Sequence, residues 1–390
     1  MYNILSNMRV IEAASFVAAP SAGLYLSQMG ADFNRWPKAA NGSSLYWEGL
    51  NKGKRSLALN LSKKEGRELL QELVTAPGDG GGLFLTNFPA SGFLSHDSLA
   101  AKRPDLITAR VMGQADGGPA LDYTVNCALG IPNVTGPASL GDEPVNHVLP
   151  AWDLLTGSYA AFALLAAERH RRDTGQGQEL RIPLSDVGIS AVANLGMLAE
   201  ALTHGNRPRY GNDLYGAFGR DYVTKDGQRI MLVAITGKQW KGLVEVLGIG
   251  DEIAAVEKQR GVTFGADEGA RFEHLDALVP LFRAAMAKRT LAELQPAFDR
   301  DGVCWGPYKT MKEAATDKVL VQNNPIFSVI EQTSKLTYPV PGAAATLPQQ
   351  ERQPPRRAPR LGEHSEAVLA DVLRLPQGAI GKLFDDGIVA

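Results

Sequence analysis

A carboxylate at the start of a long helix is the clearest carrier of chemistry in this chain. The segment Asn146-His-Val-Leu-Pro-Ala-Trp-Asp153 sets an acid behind an X-Pro turn, immediately before an apolar-periodic run. That run closes on the basic turn Arg169-His-Arg-Arg172 and the stop signal Thr174-Gly-Gln-Gly. The ordinary work of an aspartate at such a position is N-capping, for about 1 kcal/mol. Helix amides and the macrodipole also favour its charged form, so a lowered pKa is expected. An ionised carboxylate is an established covalent nucleophile, and one residue can both cap and attack.

Other constellations are weaker. Gly78-Asp-Gly-Gly-Gly82 resembles a phosphate cradle in composition, but it precedes a strand where a cradle should join strand to helix. A mobile surface turn is the expectation. Asn51-Lys-Gly-Lys-Arg55-Ser could meet phosphates, although such a cluster alone is more often a solvated turn. Tyr215-Gly-Ala-Phe-Gly219 is a glycine-flanked aromatic, as suited to a lid as to a plain loop. The six histidines form no HExxH pair, so no metal is expected. His147 lies six residues before Asp153 and could line the same pocket. Cys304 reads as a buried strand residue, with nothing nearby to activate it.

The elements that must position these groups follow from periodicity. Met8-Arg-Val-Ile-Glu12, Ser56–Leu61, Gly82–Asn87 and Asp105–Met112 read as strands, and the pattern to about residue 190 alternates strand with helix. Between them the helices are Ala22–Gly30 and one capped by Ser62, with Glu65 completing a capping box. This is the signature of an α/β fold with a doubly wound, mostly parallel sheet. Residues 206–320 differ. A hairpin turning at Asp226-Gly227 precedes amphipathic helices at Trp240–Leu247, Leu275–Met286 and Leu291–Phe298, which suggests a small α+β domain. Residues 1–200 form the first part of the large domain, and 325–390 return to it after an extended stretch at Gln349–Pro359.

Composition sets the outer bounds. With 390 residues and 44% hydrophobic content the chain can fill a sizeable core. Forty basic against 42 acidic residues leave no excess charge for nucleic acid or an anionic membrane. No apolar run approaches the roughly 18 residues of a membrane span, and the first residues lack a secretory pattern. Two unrelated cysteines make neither a disulfide framework nor a zinc site, so the expected compartment is the cytoplasm.

Taken in order, Phe16-Val-Ala-Ala-Pro20, Gly30-Ala-Asp32, Leu50-Asn-Lys-Gly-Lys-Arg-Ser56, Thr86-Asn-Phe88, Asp153 with its helix, Gly302-Val-Cys-Trp-Gly-Pro307 and Leu361-Gly-Glu-His364 resemble the class III CoA transferases. This family includes formyl-CoA and carnitine CoA transferases and the α-methylacyl-CoA racemases. The resemblance implies a large doubly wound domain, a small domain, and two chains interlocked as a homodimer. It implies Asp153 as nucleophile, passing through a mixed anhydride and an aspartyl-CoA thioester, with no ATP, metal or cofactor beyond the CoA of the substrate. The racemase branch carries a histidine where Leu121 stands, just before Asp122-Tyr-Thr-Val-Asn-Cys-Ala-Leu-Gly130, so transfer is favoured over racemisation.

Three stretches, Ala120–Asn126, Asn146–Asp153 and Arg207–Asp221, further resemble an intramolecular branch of the family. That branch moves CoA between the two carboxyl groups of a branched, unsaturated C5 dicarboxylic acid. The implied alternatives are transfer to a separate acid, racemisation, or CoA binding without catalysis. The residues implied to line CoA are Val17, Ala18, Leu59, Asn87 and Phe88, joined by Arg55. His147, Tyr215, Arg209 and Arg220 are candidates for the acyl group, the arginines for its free carboxylate. The chain departs from the family where Asp32 runs straight into Phe33-Asn-Arg-Trp-Pro37, about a dozen residues short, and where a four-glycine lid is replaced by Tyr215–Gly219.

Overall fold

The computed structural model describes residues 1–36, 44–89 and 91–390, so the shortened stretch beyond Trp36 lies outside the described residues up to Ser44. Six parallel strands form one sheet: β1 (Arg9–Ala13), β2 (Asp32–Trp36), β3 (Arg55–Ser56), β4 (Leu83–Thr86), β5 (Ile107–Met112) and β6 (Gln178–Pro183). Their spatial order is β3-β2-β1-β4-β5-β6, so the winding reverses between β1 and β4. Open sheets of this kind bind ligands at the carboxyl ends of the strands flanking that reversal.

Strand alternation divides the core in two. Val10, Leu83 and Leu85 point to one face with Ile107 and Ala109, where they meet Ala18, Ala22, Ala160 and Leu164. Ile11, Ala13 and Phe84 point to the other, among Leu69, Leu70, Leu73, Val368 and Leu369. Period-two alternation puts neighbouring residues on opposite faces, and both faces here are covered by helices.

On the first face lie helices α1 (Ala18–Gln28) and α5 (Ala151–Thr174), and α4 (Asp122–Ala128) packs against α5. Helix α2 (Ser44–Asn51) precedes β3, and α3 (Lys64–Thr75) packs on the second face. Helix α1 begins four residues earlier than its periodicity suggests, and Gly30 lies beyond its end at φ +105°. The packing of α1 on α5 is close because the facing residues are small. A Cβ placed on Gly157 would come within 1.9 Å of Ser21 Oγ and 2.7 Å of the Ala18 carbonyl.

Several sequence expectations are corrected here. Ser62 does not cap α3: its hydroxyl and amide both bond the Asn60 side chain, and the helix starts at Lys64. The strand expected over Ser56–Leu61 is only two residues long, and Leu59 makes an isolated bridge to Val389. Gly78–Gly82 is not a loose surface turn. Arg9 bonds the Ala76 and Pro77 carbonyls, Arg103 the Gly78 carbonyl, and Arg171 the Gly81 carbonyl.

The chain divides into two compact units. Unit 1 comprises Met1–Leu129, His147–His204 and Lys318–Ala390; unit 2 comprises Gly130–Asn146 and Gly205–Asp317. Gly130–Asn146, which the sequence reading counts with the large domain, therefore groups with the small one. Unit 2 holds an antiparallel sheet of β7 (Phe218–Val223), β8 (Arg229–Ala234) and β9 (Cys304–Pro307), in that order. The β7–β8 connection is closed by Thr224 N–H donating to Gln228 O, with Gly227 at φ +78°. The core of unit 2 is aromatic, built from Phe218, Tyr222, Trp240, Phe264, Phe282 and Phe298. Cys304 is in β9 as expected but is exposed, not buried. In the last third of the chain a hairpin of β10 (Phe327–Glu331) and β11 (Thr337–Pro341) precedes the extended stretch, and the helix Ser365–Leu373 completes the second face of unit 1.

Candidate active site

Asp153 is the third residue of α5, inside its first turn, and not the N-cap, which is Pro150. The group that caps this helix comes from elsewhere. Asp122, the first residue of α4 and only 2% exposed, accepts through Oδ2 from the Trp152 N–H at 2.7 Å and the Asp153 N–H at 3.1 Å. Its other oxygen lies 2.7 Å from His147 Nε2. One turn on, Asn126 Oδ1 accepts from the Trp152 indole at 3.0 Å. Residues four apart share a helix face, so α4 grips the start of α5 at two points. Tyr123 OH donates to the Val148 carbonyl and fixes the intervening loop.

This arrangement reverses the expected electrostatics of Asp153. Burial first, and the Asp122 carboxylate second, push the Asp153 carboxyl up to about 6. The sequence-level reading, in which helix amides hold it low, fails because Asp122 already takes two of those amides and adds a like charge. A half-buried carboxylate with this pKa is still about 90% ionised at pH 7. It is also a stronger base than an ordinary aspartate.

The residues flanking the sheet reversal converge at one end of it. Asn87, just past β4, accepts from the Ser15 N–H at 3.0 Å and donates to the Ser15 carbonyl at 2.7 Å. That double bond sets the chain for Phe16, which sits at φ +62° with 70% of its surface exposed. A bulky residue in the left-handed region carries strain that its surroundings must impose. Val17 then occupies the N-cap position of α1 and Ala18 its first turn. Phe88 N–H donates to Thr86 Oγ1, and its ring rests on the second core face. Behind this edge a fully buried pair, Lys54 and Glu12 at 2.7 Å, joins β1 to the segment before β3, and Lys54 also donates to the Pro20 carbonyl. Val17, Ala18, Asn87 and Phe88 are thus gathered at the strand ends, and Ala18 lies under Gly157, one turn beyond Asp153.

The remaining candidates have other engagements. Arg55 forks onto Asp32 and also reaches Asp371 at 2.8 Å, so its guanidinium is committed inside unit 1. Leu59 is a buried core residue. Arg209, 9% exposed, clamps the Thr135 and Glu143 carbonyls of unit 2. It staples the outlying Gly130–Asn146 segment to that unit and is corrected from carboxylate binder to structural clamp. Tyr215 is not a loose lid: it packs on Tyr210 and Phe272 with the Arg207 guanidinium 3.7 Å above its ring. Arg220 lies 3.3 Å from Asp213 and borders a cavity of about 600 Å³ with Asn212, Arg229 and Arg283. His147, Asp122 and Asp153 are brought together in unit 1, whereas Tyr215, Arg209 and Arg220 belong to unit 2. The sequence reading missed Asp122 as a partner of Asp153. Its signal was an aspartate opening a short helix, with Asn126 four residues on.

The sequence profile of CoA-transferase family III matches residues 5–365. The chain belongs to CoA-transferase family III. It is 46% identical, over all of its length and 98% of the relative's, to a 2-methylfumaryl-CoA isomerase of Chloroflexus aurantiacus. It is 29% identical to a succinate–glutarate CoA-transferase of Agrobacterium fabrum, covering 94% of this chain and 95% of that one. Among solved structures a CaiB/BaiF family protein of Brucella suis shares the fold with a TM-score of 0.76 at 24% identity, covering 95% of this chain and all of the other. Membership makes this chain an enzyme of CoA-transferase type. Among the described residues no helix is long and apolar enough to cross a membrane, and no cluster of His, Cys, Asp or Glu could hold a metal ion.

Proposed function

We propose that this family III transferase moves CoA from one carboxyl group to the other within a single dicarboxylyl thioester, converting 2-methylfumaryl-CoA to 3-methylfumaryl-CoA. The full-length 46% identity to a 2-methylfumaryl-CoA isomerase carries the reading. Asp153 is the proposed nucleophile. Its carboxylate attacks the thioester carbonyl, the C–S bond breaks, and CoA thiolate leaves an aspartyl mixed anhydride. The thiolate attacks the aspartyl carbonyl, giving an aspartyl-CoA thioester and the free diacid. The diacid turns, its second carboxylate attacks that thioester, and the sequence runs in reverse. The anhydride keeps thioester-level energy as long as water stays out, so neither ATP nor metal is required. Donor and acceptor being one retained molecule, a high effective molarity replaces a second substrate.

The site's chemistry supports these roles. A carboxylate with a pKa near 6 is ionised at neutral pH, and its basicity favours attack. Asp122 positions it, and His147 holds the other oxygen of Asp122. The strand ends where Val17, Ala18, Asn87 and Phe88 gather are the proposed CoA seat, on the general rule for such sheets. A homodimer is proposed on the outer face of α5, where Tyr159 and Phe162 are exposed. We expect a cytoplasmic enzyme, consistent with two unpaired, exposed cysteines.

Pure 2-methylfumaryl-CoA, incubated with the enzyme and no added acid, should isomerise. Dependence on an added carboxylic acid would instead identify transfer between separate molecules, the activity named for the succinate–glutarate relative. Hydroxylamine should convert Asp153 to a hydroxamate during turnover. An Asp153→Asn protein that turns over at the wild-type rate would end the proposal.

A further inference from the structure

A second group suited to acyl chemistry lies away from Asp153, in unit 1. Helix α2 and the β10–β11 hairpin border an open, mostly apolar cavity of about 490 Å³, lined by Leu45, Leu336, Pro339, Val340 and Pro341. Lys52, just past the end of α2, lines it. The residue is 5% exposed, and its amine has no hydrogen-bond or ion-pair partner among the described residues. Nearby Lys54 differs: it is paired with Glu12. A lysine buried without a partner is costly, because its ammonium loses water and gains nothing in return.

We propose that Lys52 is an acyl-acceptor site, whose amine takes an acyl group directly from an acyl-CoA into the apolar cavity it lines. The neutral nitrogen attacks the thioester carbonyl carbon. A C–N bond forms, the C–S bond breaks, and CoA leaves as thiolate, taking up the proton lost from nitrogen. The products are an Nε-acyl-lysine and free CoA, and the only co-reactant is a thioester of the kind family III enzymes bind.

Burial alone pushes the Lys52 amine down to about 8. The titratable groups facing it from the two walls are Glu48 on α2 and Tyr338 on β11. Burial works upward on Glu48, but hydrogen bonds from Tyr338, Ser334 and Thr333 outweigh it and hold the carboxyl below its usual range. Glu48 is therefore a fixed, fully engaged anion across the range where Lys52 loses its proton. At pH 8 an amine with a pKa of 8 is half neutral, about a hundredfold more than an unperturbed lysine. An apolar wall also favours the uncharged amide product over an ammonium.

The test uses the full-length Asp153→Asn protein and acetyl-CoA, with acylated lysines mapped by mass spectrometry over time. That background removes adducts at the proposed nucleophile, so failure here is separable from failure of the transferase reading. Lys64 and Lys241, whose side chains are 76% and 77% exposed, are internal references. At pH 8 Lys52 should acylate roughly tenfold or more faster than either, and its rate should level off above that pH. The preference should vanish in denaturing urea. A Leu336→Trp variant, which fills the cavity, should slow Lys52 alone. Acylation of the exposed lysines ahead of Lys52 across the pH range, or a preference that survives urea, would overturn the proposal.

Discussion

Replacing Asp122 with asparagine should lower the pH at which the enzyme loses activity in acid. In the wild type Asp153 is raised from an ordinary 3.8 to about 6, with burial the larger cause and Asp122 the smaller. Two pKa units correspond to about 3 kcal/mol, so the share owed to Asp122 is below about 1.5 kcal/mol, or one unit. Asparagine removes the like charge but keeps the burial. The acid limb of kcat/KM should therefore fall from near 6 to between about 5 and 6. Asparagine also keeps an oxygen for the Trp152 and Asp153 amides while losing the charge that strengthens those bonds, which costs about 1 kcal/mol of stability. Alanine leaves both amides unpaired and should cost about twice as much. The assay is a pH series of kcat/KM on 2-methylfumaryl-CoA for wild type and Asp122→Asn, with urea unfolding of each protein alongside. An acid limb that stays in place or moves upward would refute the assignment of Asp122 as the charge acting on Asp153. Stability loss alone cannot imitate a shifted limb.

Other substitutions test the scaffold. Lys54→Met removes the ammonium paired with the buried Glu12 carboxylate and should cost about 3–5 kcal/mol in urea unfolding; Glu12→Gln added to it should recover part of the loss. Gly157→Ala, which in an exposed helix would gain about 1 kcal/mol, should instead lose about 1–3 kcal/mol through its collision with Ser21 and Ala18; a stabilised variant would contradict the close approach of α1 and α5. Lys52 should make stability rise with pH. Its folded pKa, near 8, lies below the unfolded value, so between about 8 and 10.5 the unfolded chain holds the extra proton and unfolding becomes harder. The full effect is on the order of 3 kcal/mol, and Lys52→Met should abolish this slope and be the more stable protein at pH 7.

Much of this molecule is local, and what is local was legible. The alternation of Val10 with Ile11, and of Leu83 with Phe84, already implies strands covered on both faces, as the two core clusters display. The long helix behind Asp153 announces itself by its apolar period and its Thr174-Gly stop, and Asp226-Gly227 marks the β7–β8 turn. The ordered family motifs identify the family because they run through nearly the whole chain. Local signals were also misleading where a tertiary partner intervened. Ser62 had the spacing of a capping box, yet the Asn60 side chain took its hydroxyl. Arg209 had the chemistry of a carboxylate binder, yet two backbone carbonyls reached it first.

The state of Asp153 shows the division most sharply. Sequence alone determined that a carboxylate would stand in the first turn of a long helix, because capping preference and helical period concern residues adjacent in the chain. Whether that carboxylate would be held low or pushed high depended on Asp122, 31 residues away, and on how much water the fold removes. Desolvation and charge–charge energies are sums over spatial neighbours, and those neighbours exist only once α4 has docked on α5.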